Sequence, residues 1–211
     1  MKHLLLMILC ITMLPAVRAQ DMAAFFIGMP DEYIPQLEDA WRKDLVDLYR
    51  ASKPATLENT MNGRSTLLKL TQDYMLLQTT ERSTVEMKFL PLINRTYIVC
   101  VVTTVSAPVA DSRVTFYTTD WKPLEASGLW LPPEGEWYIR KDANRHNEAF
   151  LEATSYLDMD LIHYRLSADS LTLSAEYVTP QYLAAEEREK ITPFLTDSPK
   201  VYLWRTGRFE E

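Results

Sequence analysis

The sequence predicts an α+β fold: a largely antiparallel β-meander with an N-terminal amphipathic helix and a second helix near the C-terminus. Residues 20–211 read as a single domain. Three observations carry this. Apolar residues between Leu37 and Tyr49 recur at helical spacing. From Arg64 onward the period changes to two. The connectors between successive alternating runs are short, whereas a parallel crossover needs about a dozen residues or more.

The chain opens with Met1-Lys2-His3, a short basic start, and Leu4 to Leu14 follows as an almost unbroken apolar run. Pro15 ends that run, and Val17-Arg18-Ala19 places small residues one and three positions before a cut after Ala19. A bilayer span takes about 20 apolar residues, so this run is too short for one. Residues 1–19 therefore read as a secretory signal peptide, and the protein as exported, to the periplasm or to the cell surface and beyond. Cys10 follows Leu9 inside the run and lacks the setting of a lipid-bearing cysteine. No later run is long enough for a transmembrane segment after cleavage. Loss of Lys2 and Arg18 takes the formal charge from −7 to −9, two positive charges fewer. Such an acidic chain argues against nucleic acid or anionic lipid as a partner. Its basic pairs, Arg42-Lys43 and Arg140-Lys141, form no stripe.

Met22 to Gly28 suits a short helical turn leading into Met29-Pro30-Asp31. Pro35 suits the first turn of the main helix. Leu37, Trp41, Leu45 and Leu48, widened by Ala40 and Tyr49, make its apolar stripe, and Glu38, Asp39, Arg42, Lys43 and Asp47 make its polar face. The mixed charge of that face speaks for packing on a sheet rather than on a membrane. The helix runs to about Ala51, ahead of Lys53-Pro54.

Strands are expected at Thr66–Leu70, Tyr74–Thr79, Val85–Phe89, Tyr97–Val105 and Arg113–Tyr117. Val85-Glu86-Met87-Lys88-Phe89 alternates cleanly, which predicts one buried face and one wet face. Tyr97–Val105 is apolar on both faces and reads as a central strand. Cys100 lies inside it with no charge to stabilise a thiolate, so it reads as a small buried hydrophobe. A lone mature cysteine also leaves the fold standing on its core rather than on disulfides.

Residues 121–147 form a looser stretch with Pro123, Pro132, Pro133, Gly128 and Gly135, around which the domain could divide into two packed halves. A short helix at Asn147–Tyr156 follows, then strands at Leu161–Ser167 and Leu171–Val178 joined by Ala168-Asp169-Ser170. Pro180–Ile191 reads as the second helix and Val201–Thr206 as the last strand.

Several segments occur together in order: Met29-Pro30-Asp31 with Pro35, Leu70-Thr71-Gln72-Asp73-Tyr74, Val85-Glu86-Met87-Lys88 with Pro91-Leu92, and Ser112 through Trp121 with its Phe116-Tyr117-Thr118-Thr119-Asp120-Trp121 core. The set resembles a family of small exported bacterial proteins known only as a domain of unknown function. The likeness covers most of the mature chain up to about Leu124. It implies export in a Gram-negative bacterium and brings no activity, cofactor or catalytic residue with it.

Catalytic and metal patterns are sparse. Asp158, Asp160 and His163 match no zinc spacing, and on an alternating strand Asp160 and His163 point to opposite faces. The loop Asp142-Ala143-Asn144-Arg145-His146-Asn147-Glu148 has histidine at the fifth ligand position of a calcium loop and lacks the glycine after it. There is no Gly-x-Ser-x-Gly elbow, and the chain's five glycines leave no phosphate loop. Glu186-Glu187 and Glu210-Glu211 read as solvated acids, and Asn94-Arg95-Thr96 is a sequon only in a eukaryotic host. No cofactor or metal is expected.

One concentration points to binding. Trp121, Trp130, Trp137 and Tyr138 fall within eighteen residues, among prolines and acids. Rigid rings on a proline-stiffened loop can stack on a sugar or grip a peptide. The plainer and favoured account has them plugging the sheet ends, because most large aromatics are substantially buried. The leading function is a non-catalytic periplasmic or surface binding module for a glycan, a peptide or another protein. The alternatives are a hydrolase of envelope or dietary polymer, using acids and His146, and a structural subunit of an envelope assembly.

Overall fold

A computed structural model describes residues 21–211, so the expected signal peptide at residues 1–19 lies outside the described residues. Three layers stack: helices, a seven-stranded antiparallel sheet, and a four-stranded antiparallel sheet. No helix among the described residues is long and apolar enough to cross a membrane.

The helix layer comprises α1 (Met22–Ile27) and α2 (Asp39–Arg50). Asp21 caps α1, its carboxylate accepting from the Ala23 N–H at 3.0 Å. α2 begins four residues after Pro35, later than the proline suggests. The cause is Arg42, placed on the polar face by the helical pattern but only 1 % exposed. Its guanidinium takes the Leu37 carbonyl at 2.5 Å, along with those of Ile27 and Met29, so residues 34–37 turn around it instead of joining the helical ladder.

The large sheet runs in simple order: β1 (Thr56–Glu58), β2 (Arg64–Leu70), β3 (Tyr74–Thr80), β4 (Ser83–Pro91), β5 (Tyr97–Ser106), β6 (Ala110–Thr118) and β7 (Pro123–Leu124). The five expected strands form its centre, and the short edges β1 and β7 carry too few residues to show a period. One face, with Leu67, Met75, Leu77, Val85, Met87, Val99 and Val101, packs against the helices. The other, with Leu90, Ile98, Cys100, Val102 and Phe116, packs against the second sheet.

That sheet has the order β11-β10-β9-β8, from β8 (Ile162–Leu166), β9 (Thr172–Tyr177), β10 (Lys200–Arg205) and β11 (Arg208–Glu210). Helices α3 (Glu148–Thr154) and α4 (Ala185–Ile191) lie in the connections. α4 starts later than Pro180, for the same reason as α2. The Arg188 guanidinium donates to the carbonyls of Pro180, Gln181 and Leu183 at 2.9, 3.2 and 3.1 Å, and the chain at Pro180 makes only a short 3-10 turn, Thr179–Gln181, before α4.

The second sheet overturns the expectation that one face of β4 is wet. Glu86 is only 6 % exposed, and Lys88 is buried too. Glu86 accepts from the Tyr74 hydroxyl at 2.9 Å and from the Leu166 N–H at 3.0 Å. Lys88 Nζ donates to the Ala168 carbonyl at 2.9 Å and pairs with Asp73 at 2.8 Å. Residues some 80 positions downstream cover this face, and no pattern within β4 reveals them.

Glu86 also finishes an edge. Ser167 N–H bonds to the Thr172 carbonyl and Val178 N–H to that of Leu161, so Ile162, Tyr164 and Leu166 turn their amides away from β9. Glu86 meets the Leu166 amide and Asp111 meets that of Ile162, at 3.4 Å. Two carboxylates of the large sheet thus stand where a neighbouring strand would be.

Candidate functional site

The four aromatic candidates do not converge. Trp121 sits in the turn between β6 and β7 with φ of 63°, a left-handed conformation that is unusual for a bulky residue. That conformation drives its ring under α1, where it stacks on Phe25 at 4.1 Å and donates from Nε1 to the Phe25 carbonyl at 3.2 Å. It is a core residue on the helix side of the large sheet.

Trp137 and Tyr138 border a small cavity of about 110 Å³ with Tyr177 and residues 195–199. Tyr138 lies flat on Tyr177, with centroids 3.6 Å apart and planes 4° from parallel, and Trp137 meets Tyr177 edge-on at 6.3 Å. These rings satisfy one another and leave little open face.

Trp130 belongs to a different place. It packs between the sheets, edge-on to Tyr164 at 5.1 Å and to Tyr202 at 6.1 Å, and it lines a cleft of about 530 Å³. Clefts of about 300–1,000 Å³ are the usual size for a ligand site. One wall is the loop that follows the turn Ala126–Gly128. Leu129 offers its carbonyl to the Phe209 N–H at 2.7 Å, after which the loop leaves the sheet through Leu131, Pro132, Pro133 and Glu134. The other wall is the β10–β11 hairpin, closed by Thr206-Gly207 with φ of 49° and 90°. Left-handed φ at both turn residues suits a two-residue hairpin, and glycine takes it without strain.

Two polar atoms at this cleft have no hydrogen-bond partner among the described residues: Trp130 Nε1 and Tyr202 Oη. Trp130 is 7 % exposed and Tyr202 5 %. Burial raises the Tyr202 pKa, with Tyr164 and Glu211 adding to the rise, so the phenol keeps its proton and remains a donor. A buried polar group without a partner costs about 1–3 kcal/mol. The rim carries Lys200 paired with Glu211 at 2.9 Å and Arg208 paired with Glu210 at 2.6 Å. Glu134 adds a third carboxylate against those two cations.

Elsewhere the candidates remain separate. His163 is half-buried on β8, and burial, then Arg165, lower its pKa, which favours the neutral ring. His146 is exposed in its loop, its N–H donating to Asn144 Oδ1 at 3.1 Å, and Asp142 pairs with Arg140 at 3.1 Å. No group of three or more metal-ligating side chains comes together among the described residues. Cys100 is buried, and burial pushes its thiol pKa well up. Glu187 holds the Ala184 N–H at 3.2 Å.

The sequence reading missed Tyr202, Lys200 and Arg208: Tyr202 lay unmarked inside the expected last strand, Lys200 just before its start, and Arg208 past its expected end at Thr206. The signal was present: Thr206-Gly207 between Trp204-Arg205 and Arg208-Phe209 is a two-residue hairpin turn.

Of three comparisons with known proteins, two give matches and one gives none. The sequence profile of the family described as "Protein of unknown function (DUF3256)" matches residues 14–209. The solved structure of a domain of an uncharacterized protein from Porphyromonas gingivalis W83 superposes with a TM-score of 0.80 at 34 % identity, covering 90 % of this chain and 98 % of that one. No curated protein matches.

Proposed function

The chain belongs to the DUF3256 family of proteins of unknown function, and on that premise we propose that it is an exported, non-catalytic binding protein whose ligand occupies the cleft beside Trp130 and Tyr202. The observation that carries this reading is the pair of unpartnered buried donors at the wall of a ligand-sized cleft. Native proteins leave few buried polar groups unsatisfied, and a ligand that supplies acceptors removes the cost. The rim fits binding better than hydrolysis, since Glu210 and Glu211 are each held by a cation. Export, to the periplasm or cell surface, rests on the residue pattern of positions 1–19.

Thermal unfolding with neutral oligosaccharides, end-blocked peptides and inorganic phosphate tests the binding reading. A cognate ligand at a hundredfold excess over its dissociation constant stabilises the fold by about 2.7 kcal/mol. That gain should shrink in Trp130→Phe, which keeps a ring and removes the donor. A ligand that stabilises both proteins equally places the site elsewhere. N-terminal sequencing of the protein recovered from its native host tests export: a start at Gln20 is expected, and an intact Met1 in the cytoplasmic fraction would count against it.

A further inference from the structure

Resting on the cleft reading above, we infer that the ligand is an uncharged, extended segment of polypeptide that lies along the open edge of β11. Four features of the cleft argue for this class.

The first is the edge itself. Arg205 and Arg208 flank the two-residue turn and pair through both backbone hydrogen bonds, so Phe209 points its N–H and C=O away from β10. The N–H is taken by Leu129, but no described residue donates to the Phe209 carbonyl. The loop leaves the edge at this point, and the cleft opens in the space a further strand would fill. Extended peptides bind such edges through main-chain hydrogen bonds.

The second is the donor set. Trp130 Nε1 can only donate, and the protonated Tyr202 hydroxyl lacks an acceptor. Backbone carbonyls supply acceptors without carrying charge. Both donors are buried, so a ligand oxygen can bond them only if the loop carrying Leu131, whose side chain is 65 % exposed, moves outward. The third is charge: three carboxylates face two cations, both already paired, which disfavours phosphate, carboxylate or other anions. The fourth is the absence of an open ring face. Trp130 and Tyr202 are too buried for sugar stacking, and the accessible apolar wall is Leu131 with Pro132, a surface suited to aliphatic side chains.

Panning of a phage-displayed random heptapeptide library on the purified protein tests the inference, with maltohexaose and chitohexaose titrated in parallel. Enriched sequences, resynthesised with blocked ends, should be uncharged. Their affinity should fall about tenfold or more in Leu131→Asp, which sets an extra charge against the bound segment. It should fall about fivefold in Tyr202→Phe, the worth of one ordinary hydrogen bond. Binding of a neutral oligosaccharide that Leu131→Asp weakens, with no peptide enriched, overturns the peptide class and leaves the cleft as the site. Peptides that bind the wild type and Leu131→Asp equally overturn the cleft itself. Enrichment of charged peptides overturns the uncharged class, and no binding in either arm overturns both readings. Leu131 is exposed, so Leu131→Asp leaves the fold intact and its result can be read.

Discussion

Replacing Arg42 by methionine removes one guanidinium and strips three carbonyls of donors. Arg42 Nη1 donates to Leu37 at 2.5 Å and to Asp31 at 2.8 Å, Nη2 donates to Ile27 at 3.1 Å and to Met29, and Nε reaches Ile27 at 3.3 Å. Each carbonyl left buried without a donor costs about 1–3 kcal/mol. Local relaxation admits some water, so the sum should lie near 3–5 kcal/mol, the usual range when a buried charged network loses one member. That is a large part of a total stability of about 5–15 kcal/mol. The carboxylate contributes little, because Asp31 is 60 % exposed. Asp31→Asn should therefore cost under about 1 kcal/mol. Arg42→Lys keeps the charge but cannot span three carbonyls with one ammonium, so it should fall between the two. Urea unfolding with a common m-value reads all three variants. An Arg42→Met midpoint within about 1 kcal/mol of wild type refutes the reasoning, as does an Asp31→Asn loss that equals it.

Burial raises the Glu86 pKa above its ordinary 4.5, so the folded protein holds this proton at pH values where the unfolded chain has released it. Stability should fall as pH rises from 4.5 through the raised folded value and then level off, relative to an isosteric Glu86→Gln variant that has no such proton. A difference between the two proteins that is flat or increases with pH refutes the assignment. Tyr202→Phe removes an unpartnered hydroxyl and should leave the ligand-free protein as stable as wild type or more stable, by up to about 1 kcal/mol; a loss of 2 kcal/mol or more on urea titration would point to an internal partner for the hydroxyl. Cys100 is fully buried with its thiol pKa well raised, so iodoacetamide should label it only as the protein unfolds. Labelling in native buffer at the rate of a free peptide thiol would show that the interior between the sheets is open.

Local patterns made the meander legible. The β2 to β6 strands follow one another through short connectors, with β4 alternating at a period of two and β5 apolar on both faces, and these signals act within a few residues of each other. The helix starts were not legible at Pro35 and Pro180, because in each case an arginine further along, Arg42 or Arg188, captures the carbonyls of the preceding turn. Spacing alone cannot distinguish such an arginine from a solvated one. Glu86 and Lys88 carried the same ambiguity, with their partners contributed from the far side of the chain. For the candidate site, Trp130 stood out in the sequence, but Tyr202 lies about seventy residues away and is joined to it only by the packing of the sheets. Trp121 stood out for the wrong neighbourhood, since its left-handed backbone turns it toward α1.

Glu86 and Asp111 give the four-stranded sheet a direction. Its β8 margin is sealed by carboxylates that belong to the other sheet, so no incoming strand can register there without expelling two acids. The β11 margin has no such seal beyond Leu129. Any growth of this sheet, whether by a partner segment or by a second molecule, is therefore one-ended. Two molecules that pair this sheet with its own copy can only meet β11 to β11, and that pairing closes at two.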